Sequence, residues 1–578
     1  KTGGRCTGRD TSRCRPDIGA VQDRFPRQLE TLVRVVILDI ETDAIDATVI
    51  HCVVTLEDKD MRVWTSPVGL SSYLEDATVV AHNGLGFDYP VLAKLWGIHL
   101  KFDQMVDTLV LSMLDKPDRE KGHSLKSWGI RLGEPKQDFE DDFSRYTPKM
   151  LEYCKQDVVV CSKVHRVLSD QMVDFSEQSV RDEHRMRIVA DRVSKNGFKL
   201  NLAKAIELYN GIQIEQDSIS TRCIEMFPPI VEERHSLKTG KRLKDKVTEF
   251  NPASRQQIAT RLIELGWKPT ARTPSGKPKV DEKTLKVCKL PVAQTLARYF
   301  LLQKRSALIK AWIKACSEQG RVHCRYRTLG AVTNRMSCVS PNLQQVPAVR
   351  SEYGTECRSL WEAGQGKVLL DTDAAGLELR VLAHYMNDPK FTKEVLEGDV
   401  HTANQQMAGL ENRAQAKTFI YALLYGAGDA KIGSVVNGSA KDGAELRQRF
   451  MANMPAYKRL SEAVMRKGQS QGKLLALDGR VLRVRSAHAS LNTLIQGSSA
   501  VLMKKWFMYV DHHLRRRKLD AKIVAMVHDE LVLETSDKDV DSAKDCVILS
   551  IRQVNKAYNL SCELDCDVQT GNNWSEIH

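Results

Sequence analysis

Two apolar runs in opposite halves of the chain each close on a pair of carboxylates: Val35-Val36-Ile37-Leu38-Asp39-Ile40-Glu41 and Val368-Leu369-Leu370-Asp371-Thr372-Asp373. An unbroken aliphatic run predicts a buried strand, and acids two residues apart on a strand point to one side. Each run therefore delivers paired negative charge to the end of a buried element, a position suited to a hard cation. A third stretch, Val527-His528-Asp529-Glu530-Leu531, lies between two strand-like apolar runs and predicts a hairpin with acid at its tip. At 578 residues the chain exceeds one core, and roughly two to four domains are expected.

With 42% hydrophobic and 28% charged residues and a formal net charge of +13, the composition is that of a globular, strongly basic protein; the charge admits a polyanionic partner but does not by itself identify one. The closest cysteine spacings, Cys154/Cys161 and Cys562/Cys566, lack the CxxC pattern of zinc or redox sites, so reduced thiols in a cytoplasm are expected. No apolar run approaches the ~18 residues of a membrane span, and no secretion signal is expected. Residues 1–34 carry Arg5, Arg9, Arg13 and Arg15 without apolar periodicity and read as a disordered basic extension. Strands are expected from Val35 and at Thr48-Val49-Ile50. Helices follow through Asp182 to Met226, broken at Asn196-Gly197, and recur near 411–426 and 489–516, with a strand pair around 522–535. Between Phe227 and Phe250, Pro228-Pro229 and Lys238, Lys241, Arg242, Lys244 and Lys246 predict a mobile, turn-rich basic insertion.

The first acid pair, Asp39 and Glu41, is followed by Asn83 and Asp88 in HNGLGFDYP and by Tyr153 and Asp157 in YCKQD, four apart on one side of a helix. Four carboxylates are the donor set for two divalent ions, which can activate water and stabilise a departing phosphodiester oxygen. Asp43, Asp46 and Asp107 read instead as turn or capping residues. The ordered motifs resemble the DEDD superfamily of proofreading 3′→5′ exonucleases, tyrosine subtype. That resemblance implies an RNase H-like domain over 35–180 in which Asp39, Glu41, Asp88 and Asp157 hold metal and Tyr153 orients water.

Farther on, Thr333-Asn334-Arg335 precedes SPNLQQVP. Geometry leaves Asp371 and Asp373 equivalent, since both face one side of their strand. Arg413, Lys417, Tyr421 and Tyr425 recur every four residues, which places two cations and two rings within a helical band about 120° wide and about 18 Å long. Asn492 and Gln496 lie one turn apart, as amides able to read minor-groove acceptors. Arg515-Arg516-Arg517 needs no more than a solvated helix face. Together with RAQAKTFIYALLYGAG and GDVHTANQ these blocks resemble family A (DNA polymerase I-like) DNA polymerases, in particular replicative enzymes of short-tailed phages, over Val35 to His578.

The resemblance implies an α/β multidomain chain whose exonuclease domain precedes a right-hand polymerase. Its parts are thumb and connecting helices over 181–330, with the insertion 227–250, palm over 331–398, fingers over 399–485 and palm again over 486–578. It selects Asp373, followed by Glu378 and Leu-Arg, as the partner of Asp529 in binding two Mg²⁺ ions, with Mn²⁺ as a substitute. Glu378 becomes the gate against a ribose 2′-hydroxyl, and Lys417 a general acid or phosphate clamp. Arg413, Tyr421, Tyr425 and His401 would meet the dNTP, with Tyr421 implying ready acceptance of dideoxynucleotides. Arg335, Asn492, Gln496 and His528 would meet primer-template DNA. Asn334 replaces the usual glycine and tolerates the same positive φ. The resemblance further implies replication in a host cytoplasm beside helicase/primase and single-strand-binding protein. The insertion before Asn251-Pro252-Ala253-Ser254 is too short for the thioredoxin-recruiting element of phage relatives, and it is itself a candidate grip on duplex phosphates. An exonuclease-only enzyme or a non-catalytic DNA scaffold is disfavoured by the completeness of both acid sets.

Overall fold

The computed structural model describes residues 34–577 apart from 136–138, 140 and 237. The extension expected over 1–34 lies outside the described residues, except that Arg34 opens the first strand and is paired with Glu57 at 2.8 Å.

Strands β1 (Arg34–Thr42), β2 (Ile50–Glu57), β3 (Asp60–Trp64), β4 (Ala77–Ala81) and β5 (Met105–Asp107) form a sheet in the order β3-β2-β1-β4-β5. Strand β1 is antiparallel to β2 and parallel to β4. Its alternation assigns each side chain to a layer. Val36, Leu38 and Ile40 join the core containing Tyr89 and Leu92 of helix α1 (Asp88–Trp96). Ile37 joins the core containing Val158, Cys161 and Val164 of helix α2 (Pro148–Gln171). Asp39 and Glu41 share the parity of Ile37 and so sit on the α2 side. The second strand begins at Ile50, because Asp43 draws the N–H groups of Thr48 and Val49 into a turn at 2.8 and 3.0 Å.

Helix α3 (Glu177–Asn196) is N-capped by the Ser176 side chain, and Gly197 beyond it has a φ of 59°. The expected break there is a short strand, Phe198–Leu200, before helix α4 (Leu202–Met226). The next segment departs from expectation: residues 227–250 form a two-stranded hairpin, β6 (Ile230–His235) and β7 (Arg242–Thr248), rather than turns alone. Its base is closed by the buried rings of Phe227 and Phe250, 4.5 Å apart. Helix α5 (Pro291–Ala315) packs along α4; each has 25 residues and spans about 37 Å.

The second sheet is centred on β8 (Lys367–Ala374), which leads into helix α6 (Leu377–Met386). Next in the chain come helices α7 (Arg413–Leu424) and α8 (Pro455–Gln471), a small hairpin of β9 (Lys473–Leu475) and β10 (Val481–Arg483), and the long helix α9 (Ser490–Arg516). Strands β11 (Ala521–Val527), β12 (Glu530–Ser536) and β13 (Cys566–Gly571) complete an antiparallel sheet in the order β11-β12-β8-β13. Among the described residues the cysteines are free thiols, and no helix is long and apolar enough to cross a membrane.

Two candidate active sites

At the first acid set, Asp39 and Glu41 share one face of β1, and a bulge follows Glu41 where the strand leaves the ladder. The Cys154 thiol of α2 lies 3.4 Å from Asp39 Oδ2, and one ligand atom each from Asp39, Glu41 and Cys154 falls within a 4.8 Å group. Asp88 opens α1 and is 3% exposed; its carboxyl accepts from the backbone N–H of Ile40, between the two β1 acids. Burial, with the charges of Asp107 and Asp157 behind it, pushes Asp88 up to about 7. Asp157 is buried one turn beyond Tyr153, whose ring lies 5.4 Å from Phe139.

The capping acids account for how Asp88 is delivered. Asp107 is fully buried and accepts from the N–H groups of Asn83 at 2.9 Å, Leu85 at 3.1 Å and Leu109 at 2.9 Å. It thereby folds the loop ahead of α1 and starts the helix after β5. That loop is tightly packed: a Cβ on Gly84 would lie 2.7 Å from Ala81, and Arg187 of α3 reaches Asn83 Oδ1 at 3.3 Å. Asp46 is exposed and meets Lys94. Asp39 and Glu41 present carboxylates at the end of β1 beside the buried Asp88, whose carboxyl is raised first by burial and then by the charges of Asp107 and Asp157. This donor set fits a divalent cation, whose charge would reverse that repulsion.

At the second set, ladder register brings distant acids together. Asp373 is paired across the sheet with Glu530, and Ala374 N–H donates to the Asp529 carbonyl at 3.0 Å. Asp373 and Asp529 therefore sit side by side where β8 meets the β11–β12 turn. That turn is made by His528, exposed and with a φ of 54°. The two β8 acids, equivalent by alternation, are separated by depth. Asp371 is 4% exposed and pushed up to about 9 by burial and by the charges of Glu530 and Asp373, whereas Asp373 is half-buried at the rim.

Helix α7 buries Ala416, Phe419, Ile420 and Leu423 and turns Arg413 and Lys417 to solvent. Tyr421 lies 6.2 Å from Tyr425 and 6.4 Å from His401. Burial raises the Tyr421 phenol, and so do the charges of Glu378, Asp529 and Asp373, which places its ring beside the acids. Glu378, the second residue of α6, is paired with Arg335 and accepts from the Tyr425 hydroxyl at 2.9 Å. Arg413 is paired with Asp399 at 2.7 Å, and Asp399 also caps the helix that carries His401. Burial and the cations Arg413 and Lys417 lower the His401 imidazole. Asn334 has a φ of 59° and is buried. Asn492 and Gln496 are half-buried on α9 and share no hydrogen bond with the acids among the described residues, and His528 points outward. Sequence reasoning missed Arg187, which lies in no motif, and the roles of Cys154 and Asp399, which sit inside YCKQD and GDVHTANQ beside the residues those motifs single out.

A model of DNA polymerase family A matches residues 231–576. The chain is 30% identical to the DNA-directed DNA polymerase of Enterobacteria phage T3 over 92% of this chain and 98% of that relative. To the enzyme of Escherichia phage T7 it is 30% identical over 94% and 100% respectively. Its fold is similar, with a TM-score of 0.77 at 17% identity, to the POL domain of Pol1 from M. smegmatis in complex with DNA primer-template and dNTP, covering 94% of this chain and 96% of that one. With more than half its length matched by the family model, and relatives aligned across nearly their whole length, this chain belongs to DNA polymerase family A.

Proposed function

We propose that this DNA-directed DNA polymerase extends a primer at Asp373 and Asp529 and trims it 3′→5′ at Asp39, Glu41, Asp88 and Asp157. The observation carrying the first half is the β8–β12 register, which brings the backbones of the two aspartates side by side. Asp373 and Asp529 would hold two Mg²⁺ ions, which when bound would supply Lewis-acid activation of the primer 3′-hydroxyl and charge neutralisation of the triphosphate. Lys417 and Arg413 offer cations toward the N-terminus of α7, where its dipole also favours phosphate, and Arg413 exchanges Asp399 for that phosphate. Glu378, held between Arg335 and Tyr425, occupies the space a ribose 2′-hydroxyl needs. Arg335, Asn492, Gln496 and His528 are assigned to the template-primer.

For trimming, four acids at one strand edge form the divalent-metal set and Tyr153 orients the water. In this reading residues 35–180 are the nuclease, RNase H-like in architecture, 181–330 the thumb and its connections, 331–398 and 486–578 the palm, and 399–485 the fingers. Helicase/primase and single-strand-binding protein are the expected partners in a host cytoplasm. The test is primer extension with Mg²⁺ and dNTPs beside trimming of a single-stranded oligonucleotide. Asp373→Asn should stop extension and spare trimming, and Asp39→Ala should do the reverse. Extension that survives Asp373→Asn sinks the polymerase assignment; trimming that survives Asp39→Ala sinks the nuclease one.

A further inference from the structure

Glu530 follows Asp529 in the chain and faces Asp373 across the ladder, yet it is 4% exposed. Its Oε1 accepts from the indole N–H of Trp574 at 2.5 Å, and Arg358 Nη1 lies 3.7 Å away. The Arg358 guanidinium stacks on the Trp574 ring, 4.4 Å from its centroid, and its Nε donates to the Pro347 carbonyl at 3.2 Å. Trp574 is fully buried; its backbone N–H donates to the Trp361 carbonyl at 2.8 Å and its ring packs 5.6 Å from Phe198. Two segments far apart in sequence thus grip one carboxylate from behind the sheet. A buried charge is costly, and well-packed apolar side chains stabilise a core at least as well. What the acid adds is direction: a charge-assisted bond holds the first residue of β12 at one depth. The turn before it carries His528 at a positive φ, a conformation that an L side chain keeps only when its surroundings enforce it.

We infer that Trp574 and Arg358 are positioning residues for the polymerase reaction, acting through Glu530 to set the place of Asp529 beside Asp373. This rests on the reading of Asp373 and Asp529 as the metal-holding pair. A displacement of about 1 Å at a reacting centre can cost on the order of 100-fold in rate, so loss of one anchoring bond should be visible in turnover. Trp574→Phe keeps a ring in the niche and removes the N–H. Its kcat for primer extension should fall roughly 10-fold, with the dNTP KM within about twofold of wild type and the half-saturating Mg²⁺ concentration raised several-fold. A role in packing alone would lower the melting temperature without moving the Mg²⁺ midpoint.

Glu530→Gln, nearly isosteric, keeps an acceptor for the indole and removes the charge facing Arg358, and should fall between wild type and Trp574→Phe. In a cycle with Glu530→Ala, the double variant should lose no more than the worse single one. Multiplicative losses, or wild-type kcat and Mg²⁺ midpoint in Trp574→Phe, overturn the inference. Asp529→Asn separates the two levels: an active Asp529→Asn enzyme sinks the metal-site reading itself, whereas an inactive one beside a wild-type Trp574→Phe sinks only the positioning role.

Discussion

Asp88 offers a test of the first acid set that needs no nucleic acid. Its carboxyl is buried, and burial together with Asp107 and Asp157 moves it from 3.8 to about 7. A group whose folded pKa is raised contributes stability that is complete below its unfolded pKa and lost as pH rises through the folded value. The metal-free protein should therefore weaken between pH 4 and 8. Proton affinity raised about a thousandfold, at about 1.4 kcal/mol for each factor of ten, sets a ceiling of about 4 kcal/mol on that loss. Asp88→Asn mimics the neutral carboxyl and keeps an oxygen for the Ile40 N–H. With EDTA it should match wild type near pH 4 and exceed it at pH 8, a gap worth roughly 10 °C in the melting of a module of this size. Mg²⁺ at pH 8 should raise wild type and leave the variant nearly unmoved, because the charged ligand is gone. Thermal melts across pH, with EDTA and with Mg²⁺, supply the curves. A wild-type–variant difference that does not change with pH, or a variant less stable at pH 8 in EDTA, would refute the electrostatic account of this site.

Deleting residues 230–248 should leave single-nucleotide addition intact but flatten the salt dependence of primer-template binding. Among the described residues Arg234, Lys238, Lys241 and Lys244 have no acidic partner, so the slope of log K against log salt should drop by about 3 to 4, and an unchanged slope would show that the hairpin does not touch DNA. Arg480→Met should destabilise the fold by about 3–5 kcal/mol in urea unfolding, because it leaves Asp478 and Glu183 buried with a diminished counter-charge; a loss below about 1 kcal/mol would mean that the site relaxes to admit water.

Legibility in the sequence followed the range of the forces involved. Asp39 and Glu41, or Tyr153 and Asp157, could be grouped because strand and helix periods are local, and Asp107 could be read as a cap for the same reason. The choice between Asp371 and Asp373 could not be made that way. What separates them in the fold is depth: Asp371 is buried beside Glu530, which Arg358 and Trp574 approach from other segments, whereas Asp373 stands half-buried at the rim. The 227–250 hairpin was hidden by its own solubility. Leu243 and Val247 alternate with Arg242, Lys244 and Lys246 as a strand should, but both apolar residues are exposed, and Pro228-Pro229 masks the start. Thr48 and Val49 have strand-forming side chains and are lost to the ladder because one carboxylate, Asp43, outbids it for their N–H groups.

The β9–β10 hairpin explains why a division of the chain by motif captures only part of its packing. Its cross-strand pairs alternate in allegiance. Leu474 and Leu482 face the core that holds Val464 of α8 and Leu494 and Val501 of α9, while Leu475 and Val481 face the core of Trp128, Met172 and Phe175. Around these faces Arg483 meets Asp115, Arg485 meets Asp118 and Lys473 meets Asp174, all three acids lying ahead of α3. At its turn Arg480 binds Asp478 and Glu183, each at 2.9 Å, and Lys504 of α9 reaches the same glutamate at 2.8 Å. A run as short as Leu474-Leu475-Ala476 carries no mark that its two sides belong to different partners, since period-2 alternation is visible only when one side is polar. A cut at 180/181 would strip Val481 from its niche, and any cut between Glu183 and the second acid set would also leave Glu183 without Arg480. The two candidate active sites are thus carried by bodies that share core residues and buried charges, and the hairpin that joins them is also the one packed against the helix bearing Asn492 and Gln496.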